Sequence, residues 1–130
     1  MNNSATTADQ EAIVQMVRGK KPWEELRRLG IELAFEDGSC RINNPRGIEA
    51  TADAHDLAEG LLAFREDVQA LRRWAFVIEA GSSFLDLRLE PQAAAEILLD
   101  AVWKASFGDP VPGIALRTAE ELLQARSNQV

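Results

Sequence analysis

Apolar residues recur along this chain at two spacings: every third or fourth residue over most of its length, and every second residue in two short stretches. The first helical stretch opens at Thr7-Ala8-Asp9-Gln10, which reads as a capping box. It carries Ile13, Val14 and Val17 on one face and stops at Gly19. A second, short helix is predicted over Lys21-Pro22-Trp23-Glu24-Glu25-Leu26-Arg27-Arg28-Leu29-Gly30. Proline sits at its first position, acids in the first turn, arginines in the last, and a glycine follows.

The period then changes to two. Ile31, Leu33 and Phe35 alternate with polar or small residues, and Asp37-Gly38 supplies a two-residue hairpin turn. Pairing across that turn sets Phe35 opposite Cys40 and Leu33 opposite Ile42, all on one face. In that register Cys40 is a small hydrophobe rather than a nucleophile.

From Ala52 to Ala80 the helical period returns. Leu57, Leu61, Phe64, Val68, Leu71 and Ala75 fall in one narrow stripe, with His55, Glu59, Glu66 and Arg73 opposite. The pattern predicts one long helix, or two nearly collinear ones broken near Glu66-Asp67, ending at Gly81. A strand over residues 74–79 is the rival, because Phe76-Val77-Ile78 has strand composition. Leu85, Leu87 and Leu89 alternate with Asp86, Arg88 and Glu90, predicting a further strand.

Pro91 opens a helix to about Phe107, closed by Gly108. Its second half is polar only along the row Glu96, Asp100, Lys104, so it should be wrapped on most sides by the domain or by a partner. The turn Asp109-Pro110-Val111-Pro112-Gly113 leads to a last amphipathic helix ending near Arg126. Together these elements predict an α+β fold: about five helices packed around a small antiparallel sheet, the hairpin 31–42 joined by a third strand at 84–89. Residues 1–6 are polar and read as a disordered tail, and residues 7–127 as a single globular domain.

Composition narrows the setting. At 130 residues the chain can bury a core without a disulfide or metal. One cysteine excludes an internal disulfide and points to a reducing compartment. The N-terminus lacks the charged and apolar segments of a signal peptide, and no apolar run approaches a membrane span, so the expected setting is cytoplasmic with no membrane partner. Abundant Ala, Leu and Arg with three Lys suggest a bacterial genome rich in GC. A net charge of −7 argues against nucleic acid, whose affinity rests on neutralising phosphates.

Candidate chemistry is sparse. His55 and Glu59 stand four apart, close enough on a helix to form a general base or two metal ligands, yet no second His or Cys completes a site. His55 is the one proton shuttle available near neutral pH. Asp53, Asp56, Glu59, Glu66 and Asp67 make residues 49–67 strongly acidic, opposed by Arg65 alone. No Asp-x-Asp-x-Asp-Gly loop wraps a cation there, which leaves a solvated face, favourable charge at a helix start, or a docking surface for a basic partner. Arg18, Lys20, Lys21, Arg27 and Arg28 gather around Trp23, but Glu24 and Glu25 partly cancel them. Gly81-Ser82-Ser83 is no nucleophile elbow and Asn43-Asn44-Pro45-Arg46-Gly47 no phosphate loop. Of Trp23, Trp74 and Trp103, any left at the surface would mark an interface.

The leading expectation is therefore a non-catalytic bacterial interaction module, such as a regulator, adaptor or immunity-type inhibitor. It would present its acidic face to a protein with a basic surface and need no cofactor or metal. The alternatives are a small ligand-binding domain or enzyme using carboxylates and His55, and an obligate homo-oligomer burying apolar helix surface near Trp103 and Phe107.

Overall fold

The computed structural model describes residues 7–36, 39–81, 85–88 and 90–127. The tail expected at 1–6 and the hairpin turn Asp37-Gly38 lie outside the described residues. In order, the elements are α1 (Thr7–Val17), α2 (Glu25–Arg28), β1 (Glu32–Glu36), β2 (Ser39–Asn43), β3 (Ala50–Asp53), α3 (Ala54–Ala63), α4 (Val68–Ala80), β4 (Leu85–Arg88), α5 (Gln92–Ser106) and α6 (Gly113–Ser127). The fold is α+β, as the two periods predict.

The second helix is tighter and shorter than expected. The amides of Glu25, Leu26 and Arg27 donate to the carbonyls of Pro22, Trp23 and Glu24, three residues back, so only one α-helical turn remains. It closes through a left-handed Gly30 at φ 82°. The amides of Gly30 and Ile31 bond back to Arg27 and Leu26, and buried Leu26 and Ile31 flank the stop. This sharp exit aims the chain straight into β1.

The hairpin forms in the expected register, with Leu33 opposite Ile42 and Phe35 opposite Cys40. It packs through β1 on α2 and through β2 on α4. The strand at 85–88 also forms, but it does not join the hairpin. It pairs in parallel with β3, and the two sheets stay separate. β3 was not expected: the helical period was read from Ala52 onward, and the alanines on either side of Thr51 carry little strand signal. What recruits them is tertiary: Ala50 and Ala52 are buried, their small side chains let α1 pack close, and β4 supplies the ladder.

Residues 54–80 form two helices, and these are not collinear. α3 stops at Ala63, and Asp67 caps the start of α4 by accepting from the Ala70 amide at 3.1 Å. The rings of Phe64 and Trp74 then lie 6.1 Å apart, where ten residues of straight helix would separate them by about 15 Å. The reversal also shifts the helical phase, so Val68, part of the predicted stripe, is 44% exposed while Trp74, Val77 and Ile78 join the core. The strand alternative for residues 74–79 is not realised.

The core is built around α3, which packs against α1, α5 and α6. Gly60 is its close-approach point. A Cβ there would lie 2.3 Å from the Val17 carbonyl oxygen and 2.5 Å from Trp74 Cζ2. The bare glycine lets the end of α1 and the Trp74 indole meet over α3, where Trp74 Nε1 donates to the Val17 carbonyl at 2.9 Å.

Candidate functional site

The acidic segment is built largely into the fold's own capping and ion pairing. Asp53 is the N-cap of α3: its carboxylate accepts from the Asp56 amide at 3.1 Å, and Asp56 accepts from the Asp53 amide at 2.9 Å, a reciprocal capping box. Asp56 is 4% exposed and its second oxygen accepts from Arg18 Nε. Glu59 lies 3.2 Å from Arg18 and 3.6 Å from Lys20. Surrounding carboxylates hold the Arg18 guanidinium above its ordinary value against the opposing effect of its partial burial. Asp67 caps α4, and Glu66 is exposed beside it.

His55 and Glu59 diverge. The imidazole Nδ1 stands 3.9 Å from Asp53 Oδ1, while Glu59 turns to Arg18 and Lys20. Among the described residues no cluster of three or more His, Cys, Asp or Glu side chains is disposed to hold a metal ion. The basic cluster around Trp23 is likewise paired: Arg18 and Lys20 with the α3 carboxylates, Lys21 and Arg28 with Glu25. Arg27 is left beside Trp23, lining a surface depression.

That depression is the first of three that follow one another along the outer face of α4. Residues 69, 72, 73, 76 and 80 recur at helical spacing on this face, opposite the buried row Leu71, Trp74, Ala75 and Ile78. At one end Trp23, Arg27, Leu33, Phe35 and Arg73 meet. In the middle lie Phe35, Gln69, Arg72, Arg73 and Phe76. At the other end Arg72 and Phe76 meet Cys40 of β2 and Trp103, Ser106 and Phe107 at the end of α5.

Aromatic rings line this groove throughout. Trp23 and Phe35 stand edge-on at 6.5 Å between centroids, and Trp103 and Phe107 edge-on at 5.0 Å. The Arg73 guanidinium lies over the Phe35 ring at 5.8 Å and that of Arg72 over Phe76 at 5.2 Å. Arg72 Nε also donates to the Ser106 carbonyl at 3.3 Å, tying α4 to the end of α5.

The groove is open to solvent. Phe35 is 40%, Trp103 55% and Phe107 64% exposed. Of the two covers expected for α5, the domain or a partner, the domain supplies only part. Its small residues Ala95, Ala101 and Ala105, with Leu98 and Val102, are buried between α4 and α6, but its aromatic edge is left outside. Burial pushes the Cys40 thiol up, and desolvation raises the Glu79 carboxyl at the rim.

Sequence reasoning marked Trp103 and Phe107 but missed Phe76, Arg72 and Phe35 as parts of one surface. The available signal was Phe76, an apolar side chain well off the stripe running from Leu57 to Ala75. Joining it to Phe35 and Phe107 needs the hairpin and α5 to flank α4, which no local pattern encodes.

Among the described residues no helix is long and apolar enough to cross a membrane. Set beside protein-family models, curated proteins and solved structures, the chain matches none of them.

Proposed function

We propose that this protein is a protein-interaction module that docks a partner through the aromatic–arginine groove along α4. The observation that carries the reading is the Trp103–Phe107 pair. Two large aromatic side chains stand edge-on at 5.0 Å, each more than half exposed, and run into further ring surface at Phe76 and Phe35. Aromatic and arginine side chains are the residue types most enriched among interface hot spots. Continuous exposed apolar surface is also uncommon on chains that work alone.

The carboxylates of residues 53–67 suit a docking face less well. Asp53, Asp56 and Asp67 cap helices, and Asp56 and Glu59 are engaged by Arg18 and Lys20. A free thiol at Cys40 supports a reducing setting such as a bacterial cytoplasm.

A photoreactive benzophenone side chain placed in turn at positions 107, 66 and 120 tests this in the native cell. The expected result is one dominant adduct from position 107, lost when Trp103→Ala is added, with none from 66 or 120. An adduct from position 66 alone would return the interface to the acidic segment. An adduct of the chain with itself would make it a homo-oligomer instead.

A further inference from the structure

We infer that the partner segment held in this groove is acidic and amphipathic: a short peptide stretch alternating carboxylates with large apolar side chains. This rests on the groove along α4 being the docking face, and charge is what selects the occupant. The chain as a whole carries −7, yet the groove is lined by Arg27, Arg72 and Arg73 against Glu24 and Glu79. The two glutamates stand at opposite ends, and the middle section, where Arg72 and Arg73 lie side by side, has no acid.

Among the residues whose side chains are described, neither guanidinium has a carboxylate within ion-pair distance. Each is steadied on a ring, and Arg72 also by its bond to the Ser106 carbonyl, so their remaining N–H donors are oriented in advance. A planar guanidinium held this way matches a carboxylate with two parallel hydrogen bonds. The exposed edges of Trp103, Phe107 and Phe35 offer the apolar complement on either side.

The same rings fit nucleic acid poorly. A base binds an aromatic platform through its face, but a guanidinium already lies over Phe35 and another over Phe76, and Trp103 and Phe107 meet edge to face. A phosphate backbone would also carry many charges toward a strongly negative molecule, whereas a short peptide carries few. The length fits as well. From Gln69 to Ala80 the face runs about 16 Å, room for roughly five extended residues or three helical turns.

The test pans a random dodecapeptide phage library on the full-length chain. Enriched peptides are resynthesised with a fluorescein label and titrated by fluorescence polarisation at low and high salt. The expected peptides are rich in Asp and Glu with Leu, Ile, Phe or Trp, and bind more weakly at high salt. They should lose affinity about tenfold in Arg72→Gln/Arg73→Gln and in Trp103→Ala. Far-ultraviolet circular dichroism and cooperative urea transitions show that these variants fold, the double arginine variant with a modestly lower midpoint because it loses the bond from Arg72 to the Ser106 carbonyl.

Enrichment of basic or uncharged peptides, no enrichment, or undiminished binding by the double arginine variant would overturn the acidic occupant. So would tighter binding of a labelled oligo-dT. If any of these holds while position 107 still crosslinks to a partner, the partner chemistry falls and the interface stands. If position 107 also gives no adduct, both fall.

Discussion

Gly60→Ala sets two physical arguments against each other, and they differ in sign. Gly60 lies inside α3 with ordinary helical backbone. Helix propensity alone predicts that alanine there stabilises the protein by about 1 kcal/mol. The tertiary structure predicts the reverse. The added methyl would lie 2.3 Å from the Val17 carbonyl oxygen and 2.5 Å from Trp74 Cζ2. One obstacle is backbone and the other a fully buried indole, so neither can swing aside. Overpacking of this kind costs roughly 1–3 kcal/mol. Moving α1 away also stretches the buried bond from Trp74 Nε1 to the Val17 carbonyl, worth about 1–3 kcal/mol when its partners are left unsatisfied.

After subtracting the helix gain, the expected outcome is a net loss of about 3 kcal/mol. With a urea slope of about 2 kcal/mol per M, the unfolding midpoint should fall by about 1.5 M. Urea titrations followed in parallel by far-ultraviolet circular dichroism and tryptophan fluorescence give that midpoint, and agreement between the probes validates the two-state treatment. A midpoint above that of the wild type would refute the packing of α1, α3 and Trp74 described above.

Three further outcomes follow from other parts of the molecule. Asp56→Asn should cost about 2 kcal/mol, because it leaves Arg18 beside a neutral group at a largely buried site. Glu59→Gln, at a more exposed pair, should cost under about 1 kcal/mol; equal losses in urea titrations would contradict this ordering. Desolvation raises the Glu79 carboxyl, so the folded chain keeps that proton to higher pH than the unfolded one. The associated stability is full below the ordinary value of 4.5 and is lost as pH rises through the folded-state value. Glu79→Gln should therefore be more stable than the wild type at neutral pH, with the gap closing below pH 4.5; a gap independent of pH would show that desolvation is not its origin. Trp103→Ala should shift stability by no more than about 0.5 kcal/mol, against about 2–5 kcal/mol for Leu98→Ala on the buried face of the same helix. A large thermal destabilisation by Trp103→Ala would mean that the side chain serves the core rather than an interface.

Local pattern by itself determined the elements whose causes are local. The hairpin register follows from alternation across a two-residue turn, and the stop of α2 from Gly30. The cap that opens α4 follows from an aspartate three residues before the amide it binds. The narrow polar row of α5 also implied that most of that helix would be covered, without saying whether by its own domain or by a partner. Only the tertiary structure decided the rest, because the deciding contacts join residues far apart in the chain. β3 exists because α1 and β4 converge on two buried alanines, and β4 lies across two helices from it. The acidic run from 53 to 67 looked like a surface in one dimension. In three it is mostly caps and ion pairs, since α1 brings Arg18 and Lys20 to it. The groove along α4 takes side chains from α2, the hairpin, α4 and α5, and no single window of sequence contains them.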